Sequence, residues 1–128
     1  MAITDIVKGY FQGLEAGSYE QVIQLFHKDA IIHSPLYGKI NAQSFYKELF
    51  SATNKSKITL KNIFININNP KSAAAQFLYD WTLLDGTSTY FECIDIFDFS
   101  EEMKILELKI IYDTYRVRGA FESATAKE

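Results

Sequence analysis

The hydrophobic repeat of this chain changes once, near residue 57, and does not change back. Before that point apolar residues recur at helical spacing. Ile3, Ile6, Val7, Tyr10, Phe11 and Leu14 form one stripe, Tyr19, Val22, Ile23, Leu25 and Phe26 a second, and Ala42, Phe45, Tyr46, Leu49 and Phe50 a third. Thr4 or Asp5 can cap the first helix and Gly17 suits its stop. Ser18, with Gln21 three residues on, caps the second, and Asn41 caps the third. A short apolar run over 30–34, ended by Pro35, predicts a strand between the second and third helices, with a turn at Tyr37 and Gly38. After residue 57 the period is two, in tracts near 58–68, 73–84, 88–99 and 104–114. Asn69 and Pro70, Asp85 and Gly86, and Glu101 and Glu102 supply the turns between them. Helix, helix, short strand, helix and four long strands predict an α+β fold with helices packed on one face of a curved sheet. The reading is one domain over 1–118 and a small, polar, flexible tail over 119–128.

Within this plan Asp95 is out of place. Its own face of the 88–99 tract reads Thr89, Phe91, Cys93, Asp95, Phe97, Phe99. A carboxyl among such neighbours must find partners, stay protonated or do chemistry. The preceding tract repeats the oddity, with Asp80 between Leu78 and Thr82. Two carboxyls on apolar faces suggest a lined cavity more than a solid core. The strands are also apolar on both sides: Phe77, Tyr79, Trp81 and Leu83 oppose the Leu78 face, and Ile105 and Ile111 oppose Leu106, Leu108 and Ile110. Helices cover one side. A second copy of the chain, forming a homodimer through the outer sheet face, is the expected cover for the other.

Bulk properties narrow the function classes. At 128 residues and 48% hydrophobic content the chain can bury a core without staples. A formal net charge of −3, with Lys55, Lys57 and Lys61 reading as a solvated group, argues against a nucleic-acid partner. Cys93 stands alone, so no intrachain disulfide forms, and no Cys/His spacing suits a metal. The opening residues do not read as a secretion signal, and no apolar run approaches the roughly 20 residues of a membrane span, so a soluble cytoplasmic protein with no membrane partner is expected.

The phrases Gly-Ser-Tyr-Glu over 17–20, Leu25-Phe26, Asp29-Ala30 and Ser34-Pro35, set in this element order, resemble the nuclear transport factor 2-like superfamily. Its relatives include ketosteroid isomerase and the SnoaL-like polyketide cyclases, and the resemblance spans about residues 3–118. It implies a cone: a curved antiparallel or mixed sheet with three N-terminal helices on its concave face around an apolar pocket, often dimeric through the sheet. It does not imply one chemistry, because this fold hosts many. By resemblance to the isomerase, Tyr10 falls at its oxyanion-hole tyrosine, Asp95 at the second oxyanion-hole residue, Tyr46 at a supporting tyrosine, and Tyr112 at a large aromatic lining the pocket. Ser34 stands where the isomerase has its general-base aspartate, Phe26 replaces a further tyrosine, and the loop 35–38 is shorter. An acid kept neutral by an apolar site can donate a hydrogen bond, which gives Asp95 a role by analogy.

The candidate catalytic residues are therefore Tyr10 and Asp95 as oxyanion donors and Asp80 as a replacement base, since a serine cannot take a carbon-bound proton unaided. The candidate ligand contacts are Ser34, Tyr46, Phe26, Phe64, Phe91, Phe97, Leu108 and Tyr112. No metal or organic cofactor is called for. His33 points to the face opposite Ser34, His27 reads as solvated, Asp113 opposes Tyr112, and Cys93 is an inert small apolar group. Two functions compete. One is proton transfer, as isomerisation or cyclisation, on an apolar carbonyl compound. The other is a non-catalytic binder of an apolar ligand, or a purely dimerising structural domain. Epoxide hydrolysis fits poorly, because the relatives that perform it place an arginine between two pocket acids, whereas Arg116 and Arg118 follow the last strand.

Overall fold

A computed structural model of the chain describes residues 2–125. In chain order the elements are α1 (Ile3–Ala16), α2 (Tyr19–Ile23), β1 (Phe26–Ser34), β2 (Gly38–Asn41), α3 (Ala42–Ser51), β3 (Thr53–Ile65), β4 (Ser72–Leu83), β5 (Ser88–Phe99), β6 (Ile105–Ile111) and α4 (Tyr115–Thr125). The strands form one curved, unclosed sheet in the order β2-β1-β6-β5-β4-β3. Every neighbouring pair is antiparallel except β1 and β6, which run parallel. The α+β cone expected above is the architecture found.

Local chemistry explains the helix ends. Gly17 closes α1 at φ +66°, a conformation that costs glycine little, and Ser18 then caps α2 by accepting the amide of Gln21 at 3.2 Å. A Cβ at Gly13 would stand 2.9 Å from Val22 Cγ2, so glycine lets α1 and α2 pack this closely. Asn41 caps α3 through the amide of Ser44 at 2.8 Å. The start of α1 differs from expectation: Ala2 holds the cap position with no side-chain bond, and Asp5 lies in the first turn, where a negative charge suits the helix dipole.

The inner side of the sheet and the helices share one core. Val7, Tyr10, Val22, Ile32, Tyr46, Phe77, Trp81, Phe97, Ile105 and Leu108 are all buried within it.

Four segments were expected otherwise. α2 ends at Ile23 and β1 starts at Phe26, so Phe26 belongs to the strand and not to the stripe of the second helix, and the strand is longer than the expected 30–34. Residues 38–41 pair with Ile31–Ser34 as β2, a strand too short to show a period. β3 begins at Thr53, not after residue 57, because Trp81 Nε1 donates to Thr53 Oγ1 at 2.8 Å while that hydroxyl bonds back to the Leu49 carbonyl at 2.6 Å. The stretch expected to be a flexible tail is helical as far as Thr125. Val117 is fully buried, and Phe121 stacks on Trp81 at 5.9 Å and meets Tyr37 edge-on at 5.1 Å. Residues 126–128 of that predicted tail lie outside the described residues.

The β4–β5 hairpin decides which side chains reach the interior. The Leu83 amide bonds to the Thr87 carbonyl at 2.9 Å, and the Thr87 amide to Asp85 Oδ1 at 2.9 Å, so the loop is 84–86. This register sets odd residues opposite odd ones: Ala75 faces Asp95, Phe77 faces Cys93 and Tyr79 faces Phe91. Asp80 pairs with Tyr90 and Lys57 on the outer face and is exposed. The expected base is therefore outside the cone.

Candidate functional site

A cavity of about 40 Å³ lies between the helices and the concave sheet face. α1 contributes Tyr10 and Leu14, and α3 contributes Phe45 and Leu49. Ser34, Leu36 and Tyr37 come from the end of β1 and its turn. β4 supplies Phe77, Tyr79 and Trp81, β5 supplies Phe91, Cys93 and Asp95, and Ile110 and Tyr112 close the β6 side. The walls are almost wholly apolar or aromatic, which makes the placement of each polar atom informative.

Asp95 is 1% exposed, and its Oδ1 has no hydrogen-bond partner among the described residues. Burial raises its pKa well above the ordinary carboxylate range, since a dry, unpaired carboxylate is costly and neutralising it removes the cost. Tyr10 stands in the same cavity wall. Its hydroxyl lies 2.6 Å from that of Tyr46, which is fully buried behind it. Either hydroxyl can be the donor in this bond; with Tyr46 donating, the Tyr10 hydrogen is left for a group in the cavity. Burial raises both phenols, and for Tyr46 the bond to Tyr10 partly offsets the rise. Tyr79, Cys93 and Tyr112 are also shifted upward, chiefly by burial, so each favours its protonated form. The Tyr79 hydroxyl is satisfied by Ser56 Oγ at 3.0 Å.

Ser34 lines the cavity but is already employed. Its Oγ accepts the amides of Leu36 and Tyr37 at 3.2 and 3.1 Å and so fixes the turn after β1. With both lone pairs used, it retains a hydrogen to donate and no capacity to act as a base. Phe91 and Tyr112 hold the expected lining positions, with ring centroids 4.4 Å apart.

Several expected contacts sit elsewhere. Tyr46 and Phe26 pack behind Tyr10, with ring centroids 6.1 and 6.0 Å from it, and do not line the cavity. Phe97 packs edge-on against Tyr10 at 5.4 Å, and Leu108 is its cross-strand partner, so both are core residues. Phe64 faces outward on β3 and is 51% exposed. Asp80 is excluded by the hairpin register described above. As expected, His33 faces outward, with Nε2 3.0 Å from Glu107 Oε1. Asp113 is exposed and accepts the Tyr115 amide at the start of α4.

Sequence reading missed Phe77, Tyr79 and Trp81, which share the face of Asp95 once the hairpin is centred on Asp85. It also missed Leu36, Tyr37, Phe45 and Leu49 as lining. Among the described residues no group of His, Cys, Asp or Glu is arranged to hold a metal, and no helix is long and apolar enough to cross a membrane.

The sequence pattern of the SnoaL-like domain matches residues 7–108. No curated protein matches significantly. Solved structures similar to this chain include an NTF2-like protein of unknown function from Exiguobacterium sp. 255-15, with TM-score 0.73 and 15% identity over 84% of this chain and 98% of that one. SalBIII, an epoxide hydrolase/cyclase-like enzyme in pyran ring formation in the polyether salinomycin, has TM-score 0.73 and 19% identity over 86% and 89% of the two chains. A putative polyketide cyclase of Pseudomonas putida KT2440 has TM-score 0.74 and 17% identity over 88% and 92%. At these identities the likeness concerns the fold.

Proposed function

The chain belongs to the SnoaL-like domain family, and from that premise we propose that its cavity takes up an apolar carbonyl compound and moves a proton on it, with neutral Asp95 as the acid and Tyr10 as the second donor. One observation carries this reading. A carboxyl 1% exposed, with an unpartnered oxygen, is held at the wall of an otherwise apolar cavity. Such an arrangement costs stability, commonly about 1–3 kcal/mol for an unsatisfied buried polar group. A ligand oxygen would supply the missing partner.

Cyclisation suits the site better than isomerisation. Moving a carbon-bound proton needs a base, and Asp95 is the only carboxyl among the lining residues. Ring closure needs only one acid. When a ligand hydroxyl adds to a carbonyl of the same molecule, Asp95 gives its proton to the carbonyl oxygen as the new C–O bond forms. Its other oxygen takes the proton leaving the hydroxyl, so the carboxyl ends as it began. The Tyr10 hydroxyl shares the developing negative charge. SalBIII and the putative polyketide cyclase, which share the fold, add circumstantial support. The lack of a second acid–base residue equally favours a non-catalytic binder that uses the same two donors to orient its ligand.

The test is fluorescence titration with 2-naphthol, whose anion mimics an enolate, against the wild type, Tyr10→Phe and Asp95→Leu. Hydrogen bonds to a charged oxygen are worth about 1.5–3 kcal/mol, so loss of either donor should weaken binding roughly 10- to 100-fold. A wild type that does not bind, or variants that bind equally well, would overturn the donor-pair reading. Bound naphthol with no turnover in a screen of hydroxy-ketones would favour the binder.

We propose further that a second copy covers the outer sheet face. Phe64, Leu106, Ile111 and Tyr90 are 40–56% exposed there. A polar ladder crosses the same face, from Asn62 to Gln76 to Glu92, each step 2.9 Å. Such a ladder can fix the register of an apolar interface. Sedimentation showing only monomer at low micromolar concentration would remove this proposal.

A further inference from the structure

The cavity of about 40 Å³ has room for roughly three water molecules, at about 10–15 Å³ each. A two-ring ligand is far larger, so part of the wall must give way before one can enter. Most of the wall belongs to the sheet and to α1 and α3. Leu36 and Tyr37 instead sit on the turn between β1 and β2, and α4 clasps that turn. Arg118 Nη2 donates to the Pro35 carbonyl at 2.9 Å. Phe121 meets the Tyr37 ring edge-on at 5.1 Å and stacks on Trp81 at 5.9 Å. Phe121 does not line the cavity itself; it backs two rings that do. Trp81 is tethered a second time, by its Nε1 bond to Thr53 at 2.8 Å. The turn carrying Tyr37 is thus the part of the wall that α4 holds in place.

α4 is built to come away. It spans 11 residues, and an isolated helix below about 12–15 residues is marginal in water, so off the core it uncoils. Val117 is fully buried, whereas Ala120, Phe121 and Ala124 are only partly so. Gly119 lies inside the helix, exposed, where an added Cβ would meet nothing within 4 Å. Packing does not require glycine at that position, and glycine weakens a helix interior relative to alanine.

We infer that α4 is the gate of the cavity. It uncoils from the wall, the turn it clasps loosens, and the ligand passes beside Tyr37 to reach Asp95 and Tyr10. This rests on the cavity reading above and adds the route of entry. Because the docked helix and the open coil interconvert, the rate of entry follows the fraction of molecules in which α4 is released.

The test makes two measurements on the wild type, Gly119→Ala and Phe121→Ala. Amide hydrogen exchange reads the release of α4 with no ligand present, and stopped-flow fluorescence of 2-naphthol reads entry. In the wild type the α4 amides should exchange well before those of β4 and β5. Gly119→Ala leaves the cavity untouched and favours the helix by a propensity difference equal to roughly 2- to 5-fold in the docking equilibrium. It should slow both α4 exchange and naphthol association by that factor. Phe121→Ala removes the ring that docks the helix and should speed both roughly 10-fold or more. Slower α4 exchange in Gly119→Ala with unchanged association would overturn the inference and leave the cavity reading intact. Wild-type α4 amides as protected as those of β4 would also overturn it. If α4 opens but none of the three proteins binds naphthol, the cavity reading fails and the gate falls with it.

Discussion

Replacing Asp95 by asparagine keeps the side chain's shape and removes its ionisation, so it isolates the cost of burying this carboxyl. In the unfolded chain Asp95 titrates near the ordinary aspartate value, about 3.9. In the folded chain burial raises that value well above it. The sign follows from linkage. Below the unfolded value both states hold the proton, and the stabilising contribution of the carboxyl is fully present. As the pH rises, the unfolded chain releases its proton while the folded chain keeps it. Stability therefore falls, and goes on falling until the folded-state value is passed. The slope for one proton is about 1.4 kcal/mol per pH unit. The Asp95→Asn variant carries no such slope. The stability difference between variant and wild type should then widen by about 1.4 kcal/mol for each pH unit above roughly pH 4.5, until the folded-state value is passed. For 128 residues, unfolding entropy near 2.1 cal/mol/K per residue converts this to about 5 °C in Tm per pH unit. Urea unfolding of both proteins at pH 5, 6 and 7 measures it, and every other titrating group cancels in the difference. A difference that stays flat across this range would mean that Asp95 ionises normally in the folded protein, and the neutral-acid account would be wrong.

Two further substitutions follow from the fold. Asp80→Asn should leave naphthol binding unchanged and move stability by no more than about 0.5 kcal/mol, since Asp80 is exposed on the outer face; a variant that loses binding would return Asp80 to the site. Phe121→Ala should cost roughly 1.5–3 kcal/mol in chemical unfolding, because the half-buried ring packs on Trp81 and Tyr37. The same variant should shift the emission of Trp81, the single tryptophan, to the red as its surroundings admit water. An unchanged spectrum would show that α4 does not seal that wall.

The parts of the fold legible in the sequence were those with a long, unambiguous period. α1 and α3 show clean stripes with caps that the structure uses, at Gly17 and Asn41. The face of β5 was legible because polar Tyr90, Glu92 and Asp98 leave only one choice of inside. β4 offered no such choice, being apolar on both sides, so its face depended on the loop. A two-residue turn at Asp85 and Gly86 would pair residue 80 with 91 and put Asp80 on the same face as Asp95. The wider loop over 84–86 pairs it with Tyr90 instead. That one-residue difference moved the expected base out of the cavity and brought Phe77, Tyr79 and Trp81 in. β2 was hidden by its length of four residues. α4 was hidden by small and polar residues, although Val117, Ala120, Phe121 and Ala124 follow helical spacing and all pack against the core. The Tyr10–Tyr46 contact joins residues 36 apart, and only the resemblance hinted that they meet.

The measurement that bears most directly on the account is the protonation state of Asp95 itself. Carbon-13 NMR of the aspartate side-chain carboxyls, assigned by comparison with Asp95→Asn, would follow its titration in the free protein and with naphthol bound. The account predicts a carboxyl that is neutral at pH 7 and whose signal shifts when the ligand oxygen arrives. A carboxylate already ionised at pH 5, with a shift that ignores the ligand, would contradict it.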